Sequence, residues 1–275
     1  MANYIKYAVR VDDEEQADIV TAYLADYPFE SFEVEGDELC AYIPKEALDE
    51  CRADIEQQLA DYTFSAEEIV TQNWNALWES DFQQVEVADK VLIRAPFHAP
   101  RPDYGGMEVV IQPKMSFGTG HHATTQMMVE MLLGADVEGR EVLDMGSGTG
   151  VLAIVAAKLG AKSVLAVEID DMAEESVREN IALNGVLECV ESVCGDVRAI
   201  EGRKFDTILA NINRNILLND MAAYCATLRQ GGRLFISGFL AEDVAILVDY
   251  AATLNLAKRE HICNGEWQCL GFEVA

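Results

Sequence analysis

The rhythm of apolar and polar positions changes along this chain, and the change divides it. Tyr4 to Val11 alternates and reads as a strand, Asp12 to Tyr27 is an acidic amphipathic helix, and Phe29 to Val34 is a second strand. A Glu-Gly-Asp turn at 35–37 reverses the chain into Leu39 to Ile43, and a second helix follows from Lys45 to Tyr62. This β-α-β-β-α order predicts a small ferredoxin-like α+β domain over residues 1–66, with helices on one antiparallel sheet. Trp74, Leu77, Trp78 and Phe82 then recur at helical spacing. They make 67–84 either a linker helix that packs its tryptophans against a domain or a core helix of a larger one. Residues 85–97 read as strands leading into a second domain, 85–275, and 96–102 as a proline-bearing loop.

From Glu141 onward strands and helices take turns. Strands are predicted at 141–145, 163–168, 188–193, 205–210 and 233–238, and helices at 149–160, 172–184, 215–228 and 241–254. Short apolar runs separated by helices predict an α/β domain with a doubly wound, Rossmann-like parallel sheet. Lys258 to Val274 reads as an antiparallel hairpin around Asn264-Gly265, closing that sheet. The chain shows no internal repeat.

Composition narrows the function classes. The 275 residues are half apolar, enough for a substantial core. A net charge of −28 disfavours nucleic acid as a direct partner, which requires clustered Lys and Arg, and suits a basic partner or plain solubility. Residues 1–66 carry seventeen acidic side chains against four basic ones, nearly half of the excess. None of the seven cysteines forms a Cys-x-x-Cys pair, and several sit in apolar runs as small hydrophobes. No charged-then-apolar leader follows Met1 and no apolar run reaches eighteen residues, so a cytoplasmic protein without a membrane segment is expected. His98, His121, His122 and His261 lack zinc-ligand spacing, so no metal is expected.

The richest segment is Val142-Leu-Asp-Met-Gly-Ser-Gly-Thr-Gly150. An apolar strand breaks into a glycine-dense turn and then a helix, which lets backbone N–H groups approach a ligand at a helix N-terminus. Glu168, ending the next apolar run, sits where a ribose offers two hydroxyls. With Gly146 and Gly148 as the first two glycines of a dinucleotide fingerprint, the third falls on Val151, so the spacing is G-x-G-x-G and a pyrophosphate is disfavoured. Ligands of such a sheet lie beyond the carboxyl ends of its strands, where Asp144–Gly150, Glu168 and Asn211 converge. Asp170 and Asp171 read as helix-capping acids. Asp196 reads equally as a receiver of an adenine amino group or as a solvated loop acid.

Upstream, Pro113 to Thr125 holds flexible positions, two adjacent histidines and two threonines just ahead of a helix at 126–133. It reads as a loop folded over a ligand, with Thr124 or Thr125 capping that helix.

The glycine turn preceded by Asp144 resembles motif I of the S-adenosylmethionine-dependent methyltransferases. Taken with Phe117-Gly-Thr-Gly-His-His-Ala-Thr-Thr125, Val167-Glu-Ile-Asp170, Ala210-Asn-Ile212, Gly265-Glu-Trp267 and the tryptophan-bearing linker, nearly the whole chain resembles the ribosomal protein L11 methyltransferase family. The resemblance implies S-adenosylmethionine as donor and S-adenosylhomocysteine as product. It implies transfer to lysine ε-amines and the N-terminal α-amine of ribosomal protein L11, free or on the ribosome. It places cofactor contacts at Thr125, Gly146, Gly148, Glu168 and Asn211, and puts Phe117 and Gly118 in the loop that closes over the cofactor. The N-terminal domain would hold the substrate while the linker lets the catalytic domain reach several amines. A monomer is expected, because the chain supplies its own substrate domain. Lys114, Ser116 and Ala123 stand where the family commonly has Gly, Ala and Pro, and Glu168 stands where Asp is commoner. No catalytic general base is assigned. The alternatives are a methyltransferase of the same fold acting on another protein or a small-molecule amine, and a non-catalytic ribosome-assembly factor.

Overall fold

The computed structural model describes residues 4–69, 82–114 and 118–275. The chain divides into two compact units, 1–82 and 83–275. The helix expected from Asn73 lies outside the described residues, apart from Phe82 at its end. Among the described residues no helix is long and apolar enough to cross a membrane.

The N-terminal unit runs β1 (Tyr4–Arg10), α1 (Glu14–Leu24), β2 (Ser31–Glu35), β3 (Glu38–Pro44), α2 (Lys45–Gln58) and β4 (Phe64–Ile69). Its sheet has the order β2-β3-β1-β4 with every neighbouring pair antiparallel. Alternation on β1 buries Ile5, Tyr7 and Val9 against Ala17, Val20 and Leu24 of α1 and Leu48 and Ile55 of α2. α1 starts later than its pattern suggests because Asp13 caps it, accepting from the Gln16 amide at 2.8 Å. β4 is an element the pattern does not announce, and it carries this unit past residue 66. Glu67 and Glu68 break its apolar alternation, and the ladder to β1 supplies what its composition lacks.

In the second unit, β5 (Val85–Val87), β6 (Val91–Arg94) and β7 (Met107–Val110) form a small sheet. After α3 (Ala123–Gly134) come β8 (Glu141–Met145), α4 (Val151–Lys158), β9 (Ser163–Glu168), α5 (Asp171–Leu183), β10 (Val190–Cys194), β11 (Phe205–Asn211), α6 (Arg214–Thr227), β12 (Leu228–Leu240), α7 (Val244–Thr253), β13 (Leu256–Asn264) and β14 (Trp267–Val274). The seven strands β8–β14 are ordered β10-β9-β8-β11-β12-β14-β13. The sheet is mixed: β14 lies inside it, antiparallel to both β12 and β13, while the other paired neighbours are parallel. This is an α/β fold built on a mixed central sheet.

Both faces of this sheet are covered, which is why its strands read as near-continuous apolar runs. Val142, Ala166 and Leu209 face one core with α3, α4 and α5, whereas Leu143, Leu165 and Ile208 face the other with α6 and α7. The chain leaves β8 through β9 to β10 in one direction and resumes at β11 on the other side. The strand order therefore reverses between β8 and β11, and a crevice opens there at the carboxyl ends.

Candidate functional site

A cavity of about 810 Å³ occupies that crevice. Thr125, Gly146, Glu168 and Asn211, expected from separate parts of the sequence, all line it. Gly148 is absent from the lining and contributes through its amide, while Phe117 lies outside the described residues.

The glycine turn is built against β9. The amides of Gly146 and Ser147 donate to the Val167 carbonyl at 2.9 and 3.1 Å, and the Gly148 amide donates to Glu168 Oε2 at 2.8 Å. Glu168 Oε1 accepts from the Ile169 amide at 2.9 Å. The acid is thereby locked to the turn, its two oxygens held at the edge of the cavity. Gly146 has φ +68°, and a Cβ there would overlap Cγ2 of Ile212, so only glycine brings the backbone this close.

Helix α4 begins at Gly150, which has no side chain to cap it. Asp144 performs that task from β8, its Oδ2 accepting from the Ala153 amide at 3.0 Å. The carboxyl is 1 % exposed, on the sheet face that otherwise carries Val142 and Leu209, and its Oδ1 has no partner among the described residues. Burial, with Glu168 adding repulsion, pushes it up to about 7 against the pull of the Ala153 amide.

The upstream segment is strapped down by Asn180 of α5 and by Asn184, the residue that caps its end. Asn184 exchanges hydrogen bonds with both backbone groups of Val110, and Asn180 accepts from the Gln112 amide while donating to the Thr149 carbonyl. Thr149 Oγ1 donates to the Gly118 carbonyl at 2.6 Å, so the loop folds back onto the glycine turn. Lys114 pairs with Glu179 at 2.7 Å.

The threonine caps expected for α3 are corrected by the structure. His122 is the N-cap, and Thr124 and Thr125 lie buried inside the first turn. The helix starts three residues before its apolar pattern because the imidazole, an unusual cap, takes the role of the hydroxyl. His122 Nδ1 lies 2.7 Å from Thr124 Oγ1, and the ring stands edge-on to Trp267 with centroids 4.7 Å apart. His121 turns elsewhere, its Nε2 2.8 Å from the Gln83 carbonyl. Adjacent histidines thus serve different partners, and no metal-holding cluster occurs among the described residues.

Asp170 caps α5 through the Ala173 amide, as its position suggested. Asp196 lines the cavity, but both its oxygens are engaged by the Arg198 guanidinium at 2.7 to 3.0 Å, which holds the carboxyl below the usual range. The two roles expected of Asp196, adenine receiver or solvated loop acid, did not include this pairing with Arg198. Ile169, Met172 and Ile216 are large, exposed and at the cavity, an apolar rim that no periodicity announced. Trp267, noted in the sequence without a role, lines the same cavity.

Comparison with known proteins places these residues in context. The family model described as ribosomal protein L11 methyltransferase (PrmA) matches residues 7–274. A ribosomal protein L11 methyltransferase of Porphyromonas gingivalis is 43 % identical, with 98 % of this chain and 97 % of that protein covered. One from Phocaeicola vulgatus is 39 % identical, covering 93 % and 92 %. The crystal structure of a ribosomal protein L11 methylase from Lactobacillus delbrueckii subsp. bulgaricus superposes with a TM-score of 0.65 at 29 % identity, covering 70 % of this chain and 98 % of that one.

Proposed function

The chain belongs to the ribosomal protein L11 methyltransferase family, and from that premise we propose that it transfers methyl groups from S-adenosylmethionine to lysine ε-amines and the N-terminal α-amine of ribosomal protein L11. The observation that carries the reading is the convergence of Thr125, Gly146, Glu168 and Asn211 on one cavity at the reversal point of the sheet.

The residues present fit that donor. A volume of about 810 Å³ suits a nucleoside with an amino-acid tail. Glu168 Oε2 keeps a lone pair beyond its bond to the Gly148 amide, enough for a ribose hydroxyl, while Oε1 accepts from the Ile169 and Asp170 amides at 2.9 and 3.3 Å, and the extra methylene relative to Asp is taken up in reaching the Gly148 amide. Gly146 exposes backbone to the tail, Thr125 flanks it from α3, and the Asn211 amide has no protein partner among the described residues. Phe117 and Gly118 form the covering loop in this reading.

The donor's sulfonium supplies an already activated methyl group, so the chain's task is to align an amine with it and keep that amine neutral. Asn211-Ile212-Asn213 lacks the Asn-Pro-Pro-Tyr pattern that holds planar amides or aromatic amines, which favours an aliphatic acceptor. We read residues 1–66, extended by β4 to residue 69, as a ferredoxin-like substrate domain whose −13 charge over 1–66 steers a basic protein inward; residues 67–69, expected in the linker, belong to the sheet, so the linker in this reading begins after them. The protein acts as a cytoplasmic monomer on L11, free or ribosome-bound.

Incubation with methyl-labelled S-adenosylmethionine and total ribosomal proteins tests this. Label on L11 lysines and its α-amine, located by mass spectrometry, is the expected result. Label only on another protein or on RNA would overturn the assignment.

A further inference from the structure

A protonated amine must shed a proton before it accepts a methyl group, and His122 and Thr124 form a hydrogen-bonded pair at the cavity arranged to take it. Two donors converge on His122 Nδ1: the Thr124 hydroxyl at 2.7 Å and, more distantly, the Thr124 amide at 3.4 Å. That pattern assigns Nδ1 as an acceptor and puts the ring hydrogen on Nε2. Nε2 has no hydrogen bond among the described residues. With its hydrogen spent on the imidazole, the Thr124 oxygen keeps lone pairs, and both residues line the cavity.

The pair also stands on the side where an acceptor would arrive. Across the sheet from the glycine turn of β8, the cavity wall continues through Asn211, then Gly238 beside Asn211's ladder partner Ser237, then Trp267 paired with Leu240. Glu168 and Asp196 lie in the opposite direction, on β9 and after β10. A ribose on Glu168 leaves the methyl end of the donor toward Asn211 and Trp267, and His122 packs its edge on Trp267.

We propose that Thr124 and His122 form a proton relay that deprotonates the acceptor amine. This rests on the amine-methylating function proposed above. The ammonium gives a proton to Thr124 Oγ1 as that hydroxyl passes its own to His122 Nδ1, leaving a neutral amine and an imidazolium. The amine nitrogen's lone pair then forms the N–C bond to the methyl carbon while the S–C bond breaks, its electron pair remaining on sulfur as a neutral thioether. The imidazolium releases its Nε2 proton to water and the neutral ring is ready again. Because each methylated amine emerges protonated, the relay operates once per methyl group.

Magnitudes set where it matters most. An α-amine, with a pKa of about 7.7 to 8.0, lies near neutral pH, whereas a lysine amine at about 10.4 lies more than three pKa units above it in water. Entry into the cavity narrows that gap by desolvating the ammonium. Lysine methylation therefore depends on the relay more than α-amine methylation does, since at neutral pH part of the α-amine is already neutral.

His122 also caps α3, so the variants must separate the two roles. His122→Asn keeps a good capping residue but cannot take the proton. Thr124→Val removes the hydroxyl at similar volume, and Thr124→Ser restores it. Single-turnover methylation of L11 near neutral pH is measured for each, with donor affinity by calorimetry and melting temperature alongside. Expected for His122→Asn and Thr124→Val is a rate loss of roughly 10²-fold, greater at lysines than at the α-amine, with donor affinity and melting unchanged. The double variant should be no slower than either single one, and Thr124→Ser should recover to within about threefold of the parent, a span small against the 10²-fold expected of the relay. A parent that methylates L11 while either variant keeps a comparable rate overturns the relay and leaves the function standing. A rate loss matched by lost donor affinity overturns it too, since that is the signature of a cap. A parent inactive on L11 overturns the function and the relay together.

Discussion

The two ends of the seven-stranded sheet treat their polar groups in opposite ways. At the amino end, charges are consumed by one another. Glu141 accepts from Lys162 at 2.8 Å and Arg229 at 2.7 Å, Arg229 also reaches Asp206, and Arg203 grips Glu191 with both nitrogens. Lys162 and Arg229 hold the Glu141 carboxyl down at about 2. At the carboxyl end, among the described residues, Asp144 keeps an oxygen without a partner and is pushed up to about 7, and Asn211 offers an unengaged amide. Strand carboxyl ends lead into helix N-termini, whose free N–H groups and partial positive charge suit a ligand. One end of the sheet closes the domain, and the other is left chemically open.

The sharpest way to break this contrast is at the glycine turn. Gly146→Val forces a β-branched residue to φ +68° and drives its Cβ into Ile212. Left-handed strain and overpacking together should remove roughly 2–5 kcal/mol of stability, read by urea unfolding, and abolish measurable donor binding. Next comes Glu168→Ala, which loses the tether to Gly148 and, in our reading, the bond to a ribose hydroxyl. A fall of about 10²-fold in donor affinity is expected by calorimetry, consistent with roughly 1.5–3 kcal/mol for a charged hydrogen bond. Unchanged affinity would show that the ribose lies elsewhere.

Titration tests the contrast through its sign. The folded carboxyl of Asp144 is raised from 3.8 to about 7, so its contribution favours the fold below pH 4 and is lost as pH rises toward 7. Glu141, lowered from 4.5 to about 2, contributes above pH 4.5 and loses that contribution as pH falls through 2. Asp144→Asn should therefore raise stability at pH 8 by on the order of 1–3 kcal/mol and little at pH 4, less than the full linkage because the new amide also lacks a partner. Equal differences at both pH values would refute the buried-acid account. The smallest effect belongs to the amino end. Arg229→Ala should lower the melting temperature slightly, leave donor affinity alone, and do even less in about 1 M salt, where exposed charges are screened.

Much of this contrast can be read before folding is considered. The strand–helix alternation from Glu141, the turn at 146–150 and the acid at 168 are local patterns set by side-chain period and glycine placement, and the structure follows them within a few residues. β4 and β7 escaped notice because short strands with acidic or scattered positions form only when a neighbour completes their ladder. The cap of α3 went to His122 because its ring is wedged on Trp267, a residue 145 positions away in the chain.

Sequence by itself determined the glycine turn and the acid that ends the next strand, since glycine placement and apolar periodicity are local properties of the chain. It also determined family, because matching motifs extend over nearly the whole chain. Tertiary structure alone decided which polar groups stay available. Burial starves Asp144, Arg198 occupies Asp196, and the crossing of α3 with β14 turns two chain-adjacent histidines to different work. Those outcomes depend on competition among neighbours brought together from distant positions, and a linear pattern carries no record of who wins.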